Sequence, residues 1–316
     1  MISVLVLGQP YWASRIARAL DGRADDMRAT FVDQGSYLRL LAKPPRSERV
    51  VVVRAGYRVG ATTPRGRLFD AYWSLLRRAL PRAVACHYWL GTDVMDTLAE
   101  ARAGTLRFAA VAAARDDLHL ADAFWLASEL EEVDLHASPA HVPRPYRSPE
   151  TPPPLPVDFR VLTYLPGYQF AFYGGEAVME AARRLPDVEF DVVGRLGTSA
   201  RPALTNVAWH GWVTEMTERY ARATVLVRIP RHDGLGATVV EGLLHGRHVI
   251  YTHEVPFVRT LRPATADALI RALEELRDAH RGGSLSLNLA GRAYALGEYD
   301  ETRLRDHLAA LVRART

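Results

Sequence analysis

The sequence has little cysteine, little lysine and no long apolar run. Cys86 is the only cysteine among 316 residues, so this chain has no internal disulfide and no cysteine-based metal cluster. No window approaches the ~20 apolar residues of a membrane-spanning helix. The N-terminal "MISVLVLG" lacks the basic flank and cleavage site of a signal peptide. We therefore expect a cytoplasmic protein without a metal site, with any membrane contact peripheral to the inner face.

Positive charge comes almost entirely from arginine, since Lys43 is the only lysine. The net charge is +4, but residues 1–82 hold 15 basic and 6 acidic side chains. This excess has two interpretations. It is a solvated arginine-rich surface, or it is a surface that attracts an anionic membrane or a phosphorylated acceptor. The arginines are scattered and accompany no nucleic-acid-binding motif, which argues against a nucleic-acid partner.

A proline-rich stretch divides the chain near its middle. "SPETPPPLPVD", residues 148–158, has five prolines and behaves as a semi-rigid extended spacer. We predict an N-terminal domain over 1–147, a linker over 148–158 and a second domain over 159–296. Residues 297–316 end in the pattern of a helix capped at Asp300 or Thr302.

Short apolar runs alternate with amphipathic helical patterns on both sides of this linker. The predicted strands are "SVLVLG", "ERVVVVRAG", "RAVACHYW", "FRVLTYLP", "VEFDVVG", "TVLVRIP" and "RHVIYT". Near-continuous apolar strands separated by helices indicate a parallel sheet covered on both faces. The fold class is therefore α/β, with two Rossmann-like β/α/β domains. Such sheets bind ligands at the carboxyl ends of their strands, so we expect the two domains to face a shared cleft.

The stretch "RIPRHDGLGATVVEGLLHGRHVI", residues 228–250, carries the clearest chemistry. A buried strand leads into the glycine loop "RHDGLG", and a helix follows whose N-terminus suits a phosphate. Glu241 lies about one turn into that apolar helix, where a carboxylate can accept hydrogen bonds from two vicinal ribose hydroxyls. A turn-forming Asp233 and a partly exposed Glu241 are the alternative interpretation.

This stretch resembles the retaining glycosyltransferases of family 4, which have the GT-B fold and use nucleotide-diphosphate sugars. The family motif is an acid, seven residues and Glu, followed by "G-x-P-V-I"; here it is Asp233, "GLGATVV", Glu241 and "HGRHVI". "PDVEFDVVGRLG" and "NVAWHGWVTEMTERYARATVLVRIP" are similar to the preceding segments of the family. The resemblance covers residues 160–256 well and implies a C-terminal helix that crosses back onto the first domain.

The resemblance implies a role for each matching residue. Glu241 would bind the donor ribose, and Asp233, which stands where the family has Glu, would contact the transferred sugar as a candidate catalytic residue. The implied contacts with the phosphates and the base are Gly234, Leu235, Gly236, Gly211 and Trp212. The family also has an Arg and a Lys after the first strand of this domain, but "YLPGYQFAFYGGEAVMEAA" has no basic residue. Arg228, Arg231 or Arg195 would replace that pair, since an arginine can bind a phosphate bidentately.

A second polar cluster follows a strand of the first domain. "ACHYWLGTDVMD", residues 85–96, places His87 and Asp93 as candidate catalytic groups, with Trp89, Gly91 and Thr92 as acceptor contacts. The segment resembles a turn on the acceptor side of related enzymes. Asp93 or Thr92 as a helix cap, and His87 as a core residue, are equally simple interpretations. His119 is a further candidate.

The loop after the first strand, "LGQPYWASR", adds Gln9 and Tyr11 as acceptor candidates. It lacks G-x-G-x-x-G, so dinucleotide binding is weakly supported. "RAGYRVGATTPRGR", residues 54–67, has the composition of an acceptor lid or a surface-binding loop.

Taken together, the residues and the resemblance favour a metal-independent, retaining hexosyltransferase. Its donor would be a UDP- or GDP-sugar, its acceptor a glycan, a lipid-linked or a small hydroxyl compound, and it would need no cofactor. A catalytically silent GT-B protein that binds a nucleotide sugar or glycan is the main alternative, motivated by the missing basic pair. A sugar-nucleotide epimerase of the same fold is a third possibility.

Overall fold

The structure is a computed structural model of the 316-residue chain. It describes residues 2–21, 27–45, 49–56, 64–104, 116–135, 137–144, 146, 148–197 and 203–299, together with 303, 306, 307, 310, 311 and 314. The chain divides into two compact units. Unit 1 comprises Met1–Pro145 with Tyr299–Thr316, and unit 2 comprises Tyr146–Glu298.

Unit 1 is an α/β unit built on six parallel strands. The strands are β1 (Ile2–Gly8), β2 (Met27–Phe31), β3 (Arg49–Ala55), β4 (Val84–Trp89), β5 (Leu118–Ala121) and β6 (Ala140–His141). The helices are α1 (Pro10–Leu20), α2 (Tyr37–Ala42), α3 (Pro64–Ala79), α4 (Thr92–Arg102) and α5 (Phe124–Glu129). The strand order is β2-β1-β3-β4-β5-β6, so the chain reverses direction across the sheet between β1 and β3.

Both faces of this sheet are covered. Valine side chains alternate along β3, so that Val51 and Val53 pack with α1 while Val50 and Val52 pack with α3. The near-continuous apolar strand follows from burial on both faces.

Unit 2 repeats the architecture. Its strands are β7 (Arg160–Tyr164), β8 (Glu189–Val193), β9 (Val207–Gly211), β10 (Val225–Arg228), β11 (His248–Tyr251) and β12 (Arg259–Thr260). Its helices are α6 (Gly175–Arg184), α7 (Thr217–Ala221), α8 (Ala237–Leu244), α9 (Ala266–Arg281) and α10 (Leu289–Glu298). The parallel sheet has the order β12-β11-β10-β7-β8-β9. Helices α6 and α9 pack together, as do α8 and α10.

The proline-rich segment is docked onto unit 2. Arg247 is fully buried and donates to the carbonyl oxygens of Pro153 and Pro154 as well as to Ala223. Arg292 donates to the Pro149 carbonyl at 2.8 Å. The expected semi-rigid spacer is therefore held against this unit along much of its length.

The predicted fold class is confirmed, since two parallel six-stranded sheets carry helices on their faces. The predicted C-terminal helix, 297–316, and the 54–67 loop lie largely outside the described residues. No helix in the described part of the chain is both long and apolar enough to cross a bilayer.

Candidate active site

The sheet of unit 2 reverses its strand order between β7 and β10, which are hydrogen-bonded neighbours. Open α/β sheets bind ligands outside the carboxyl ends of the strands at such a reversal. Tyr164 ends β7 and Arg228 ends β10, so the glycine loop after β10 lies at this point. The topology alone thus makes this loop the preferred ligand position of unit 2.

The loop leads directly into α8, which begins at Ala237 as expected. No side chain caps this helix, because Gly236 occupies the N-cap position. Leu235 adopts a left-handed backbone conformation with φ 61° and is buried. A helix N-terminus approached by such a loop is suited to an anion.

Arg228 and Asp233 form an ion pair inside this loop. Arg228 Nε lies 2.5 Å from Asp233 Oδ2, and Arg228 Nη2 lies 3.0 Å from Oδ1. The Asp233 carboxylate also accepts from the Tyr251 hydroxyl at 3.1 Å and from the Gly234 amide at 3.0 Å. Four donors thus occupy a carboxylate with about four acceptor positions. A sugar hydroxyl can reach Asp233 only if one of these donors is released.

Burial makes this pair electrostatically strong. Only 8% of the Arg228 side chain and 12% of the Asp233 side chain are exposed. Burial on its own would raise the pKa of Asp233, but the Arg228 guanidinium overcomes it and holds that pKa below its usual value. Burial likewise opposes the charge of Arg228, and Asp233 raises the arginine pKa despite it. The two groups are therefore ionised together and their charges cancel.

Aromatic rings and a glycine enclose the Arg228 guanidinium. Its Cζ lies 5.4 Å from the ring centroid of Tyr164 and 5.1 Å from that of Tyr173. A Cβ at position 236 would come within 1.9 Å of Arg228 Nε. Glycine at 236 is therefore required by this close approach rather than by its backbone angles.

Glu241 is half-buried on α8, one turn from the helix N-terminus. Its Oε2 accepts from the hydroxyl of Tyr220 at 2.6 Å, and Tyr220 is buried in α7. This contact fixes the orientation of the carboxylate, which remains accessible enough to receive hydroxyl groups of a ligand.

The other predicted donor contacts follow the carboxyl ends of β8, β9 and β10. Arg195 is exposed, with its Cζ 5.6 Å from the ring of Trp212, which is 51% exposed. Gly211 takes a left-handed conformation with φ 68° and accepts from the Gly194 amide at 2.9 Å. Arg231 is exposed, and its amide donates to the Phe172 carbonyl at 2.9 Å. Arg231 and Arg195 are thus placed to meet an anion from solvent, whereas Arg228 is not.

The first-unit cluster is buried. His87 has no exposed surface and Trp89 is 1% exposed; their rings stack with centroids 3.8 Å apart. Trp89 Nε1 also donates to His119 Nδ1 at 3.2 Å. Neither His87 nor Trp89 presents its ring to solvent, which differs from the expectation of an acceptor-facing pair. These side chains are buried because β4 is a central strand of the sheet and both faces of the sheet are covered.

Asp93 holds the turn between β4 and α4. Its Oδ1 accepts from the amides of Leu90, Gly91 and Val94 at 2.9, 2.8 and 3.1 Å. The helix begins at Thr92, with Gly91 as N-cap at φ 118°. Burial raises the pKa of Asp93 to about 6, although these amides oppose the shift. Neither Asp93 nor Thr92 is the cap residue, since Gly91 occupies that position without a side-chain cap hydrogen bond; Asp93 stabilises the turn from inside the first turn of the helix, and Thr92 is exposed.

Gln9 and Tyr11 follow β1, at the strand-order reversal of unit 1. Gln9 Oε1 accepts from the Trp12 amide at 3.0 Å and so caps α1. Tyr11 is 39% exposed, with the Arg15 guanidinium 4.6 Å from its ring. Both residues lie where a ligand of this unit would be expected.

Sequence reasoning missed four tyrosines that pack around Arg228, Asp233 and Glu241: Tyr164, Tyr173, Tyr220 and Tyr251. They come from β7, the loop before α6, α7 and β11, so no local motif joins them. Within the described ranges, no group of three or more His, Cys, Asp or Glu side chains is arranged to hold a metal ion.

Two α/β units, each built on a parallel six-stranded sheet, are the architecture of the GT-B fold, and solved structures support that assignment. No family model and no curated protein matches the sequence. The chain is similar to Anabaena Alr3699/HepE in complex with UDP-glucose, with TM-score 0.69, 12% identity and 99% of each chain covered. It is also similar to the lipopolysaccharide outer core galactosyltransferase WaaB, with TM-score 0.63, 11% identity and 100% of each chain covered.

A third similar structure is the pneumococcal O-GlcNAc transferase GtfA in complex with UDP and GlcNAc. The TM-score is 0.57 at 12% identity, covering 84% of this chain and 56% of GtfA. The chain thus spans about half the length of GtfA, and likewise 54% of TarM. All these similarities fall below 25% identity and show the fold alone.

Proposed function

We propose that this protein is a retaining glycosyltransferase that transfers a hexose from a nucleotide-diphosphate sugar to a hydroxyl acceptor without a metal ion. The observation that carries the proposal is the position of Glu241. It lies one turn into the helix that starts at the strand-order reversal of unit 2, oriented by Tyr220. Neighbouring folds that hold UDP-glucose or UDP with GlcNAc support the choice of donor class.

In this proposal, the donor lies along the carboxyl ends of the unit 2 strands. Glu241 accepts hydrogen bonds from the ribose hydroxyls. The backbone from Gly234 to Gly236 holds the distal phosphate at the N-terminus of α8. Trp212, with Arg195 against its ring, borders the base. Contacts of these loops with the base decide whether the donor is a UDP-sugar or a GDP-sugar.

The diphosphate needs positive charge, because charge accumulates on the leaving group in the transition state. The loop after β7, residues 165–174, has no basic residue. Since Arg228 is neutralised by Asp233, we assign the free positive charge to exposed Arg231 and Arg195. Asp233 then acts as the residue that positions Arg228 beneath the loop, and it touches the sugar only after releasing a donor.

Retention in this proposal requires no protein nucleophile. The departing diphosphate takes the proton of the acceptor hydroxyl while the new glycosidic bond forms on the same face of the sugar. The buried His87 and Asp93 have no role in that step. Gln9, Tyr11 and Thr92 remain our candidates for acceptor contacts.

A catalytically silent sugar-nucleotide-binding protein is the second candidate. It is favoured by one observation, the neutral Arg228–Asp233 pair in the place where a phosphate-binding cation is needed. Such a site would bind the nucleotide through Glu241 and the loop but would stabilise the leaving group poorly.

The test is a nucleotide panel followed by a turnover assay. A ligand at 100 times its dissociation constant stabilises a protein by ~2.7 kcal/mol, so UDP, GDP, ADP and TDP can be ranked by thermal shift. We expect a shift with UDP or GDP and slow hydrolysis of the matching sugar nucleotide. A thermal shift without hydrolysis or transfer would support the catalytically silent binding protein. Conversion of the bound sugar into its epimer would support an epimerase. The absence of a shift with every nucleotide would exclude the donor site.

A further inference from the structure

Helices α2 and α3 of unit 1 lie side by side and share one core. The Tyr37 ring stacks on Tyr72 at 4.2 Å, and Leu40 and Leu41 pack with the same cluster. These contacts use the inner sides of both helices. The exposed side chains of the two helices and of the residues that closely follow them are here called the α2/α3 face, which comprises Leu38, Arg39, Lys43, Leu68, Leu75, Arg78 and Arg82.

Large apolar side chains on this face are open to solvent. Leu38 is 79% exposed, Leu68 is 72% exposed and Leu75 is 50% exposed. Leu68 and Leu75 are seven residues apart, so they lie on one side of α3, and the exposed Ala71 lies between them. Three exposed leucines on two adjoining helices are unusual for a surface that meets only water.

The same face is basic. Arg39, Lys43, Arg78 and Arg82 are all exposed. Among the described residues, the acids nearest in sequence are engaged elsewhere: Asp33 accepts from Ser36, and Asp70 faces the buried Arg54 at 3.9 Å. The face therefore accounts for part of the charge excess of residues 1–82, which hold 15 basic and 6 acidic side chains.

We propose that the α2/α3 face docks onto an anionic lipid bilayer. Exposed arginine and lysine attract anionic headgroups, while leucines that project from the same face enter the interface between headgroups and acyl chains. A nucleic acid would use the charge but would not need the leucines. A second copy of this chain is disfavoured because two basic faces repel each other. Attachment of this kind is peripheral and requires no spanning helix.

The experiment is sedimentation of the full chain with vesicles. Wild type is expected to bind vesicles of phosphatidylglycerol and phosphatidylcholine far more strongly than vesicles of phosphatidylcholine alone, and binding should weaken with salt. The variant Arg39→Gln/Lys43→Gln/Arg78→Gln should bind about a hundredfold more weakly, since each basic residue contributes about 1 kcal/mol near such a surface. Leu38→Ser/Leu75→Ser should weaken binding even where salt screens the charges.

A matched control replaces exposed residues of unit 2. Leu289, 58% exposed, and the exposed Arg222 can be changed to Ser and Gln, and this variant should bind as wild type. Unchanged unfolding midpoints would show that all variants are folded. The proposal is overturned if wild type ignores anionic vesicles, if it binds neutral vesicles equally, or if the glutamine variant binds as wild type. A leucine-dependent dimer in light scattering, without vesicle binding, would identify the face as a self-interface instead. Vesicle binding needs no donor, so these outcomes are separate from the glycosyltransferase assays.

Discussion

Asp233 holds both the Nε and the Nη2 of Arg228, five residues earlier, at 2.5 and 3.0 Å. The strand that ends at Arg228 and the loop that contains Asp233 are thereby closed into one unit under the N-terminus of α8. Because the pair is buried and has no net charge, its main effect is to stabilise the conformation of the loop. Its net charge is zero, so it adds little positive charge to the loop unless the pair opens.

Breaking this pair is expected to destabilise unit 2. Asp233→Asn leaves the Arg228 charge buried without its counter-ion, and loss of one partner of a buried pair costs about 3–5 kcal/mol. Urea unfolding followed by tryptophan fluorescence measures this change. Arg228→Met with Asp233→Leu should recover much of the loss, because an apolar pair needs no counter-ion. As a control, Glu132→Gln breaks the exposed contact with Arg102 and should leave stability unchanged. Equal effects of Asp233→Asn and Glu132→Gln would contradict the buried-pair interpretation.

Gly236→Ala should abolish nucleotide binding. The added methyl would lie 1.9 Å from Arg228 Nε, so the guanidinium or the loop has to move away from the α8 N-terminus. Gly297→Ala is the matched control, since a Cβ there meets nothing within 4 Å. Isothermal titration with the nucleotide found in the panel compares the two. Wild-type affinity in Gly236→Ala would show that the loop rearranges without affecting the ligand.

Glu241 and Tyr220 should act together on the ribose. Glu241→Gln removes the charge that strengthens two hydrogen bonds to hydroxyls, and nucleotide affinity should fall about tenfold or more. Tyr220→Phe removes the hydroxyl that orients the carboxylate and should weaken binding by a smaller factor. Glu218→Gln, at an exposed position of α7, should have no effect. A 2′,3′-dideoxy nucleotide, which lacks both hydroxyls, should bind wild type and Glu241→Gln with similar affinity. A large difference in affinity for that nucleotide would show that Glu241 does not recognise the ribose.

Asp93 makes the stability of unit 1 depend on pH. Burial raises its pKa from 3.8 to about 6, so the folded state binds this proton more tightly than the unfolded state. The stabilisation is complete below 3.8 and is lost as pH rises through about 6. Asp93→Asn keeps an acceptor oxygen for the three amides and carries no charge. It should therefore unfold at a higher temperature than wild type at neutral pH, with the difference shrinking as the pH approaches ~4. A less stable Asp93→Asn at neutral pH would mean that the ionised carboxylate is the favoured form.

The fold was largely predictable because a central strand that is buried on both faces appears in the sequence as a continuous apolar run. The four valines Val50–Val53 and the run Val225–Val227 predict buried strands because they are short, apolar and rich in β-branched residues, and both segments are strands. Edge strands were missed for the opposite reason. In β2 the burial alternates, and β12 has two exposed residues, so neither has an apolar run. Helix α9 was also missed, although its Thr265 cap and its apolar spacing are typical of an amphipathic helix.

The local structure of the candidate site in unit 2 could be predicted in position but not in detail. The glycine loop, the start of α8 and the place of Glu241 followed from local pattern. The pairing of Arg228 with Asp233 could not be predicted. An arginine or an aspartate in this loop can bind a ligand as readily as it can pair with an opposite charge of the protein. The tyrosines that complete the site reach it from four separate elements, and only the folded sheet brings them together.

Arg247 determines where unit 2 can be cut from the chain. This buried guanidinium has no carboxylate among its contacts in the described part of the chain, and it relies on carbonyl oxygens that include those of Pro153 and Pro154. A recombinant fragment that starts at residue 159 would keep the cation and lose those two acceptors. Burial already lowers the pKa of Arg247 to about 10, and of its acceptors among the described residues only the carbonyl oxygens of His245 and Ala223 would remain in such a fragment. A fragment that starts at Tyr146 keeps every acceptor, and the proline segment is therefore an integral part of unit 2.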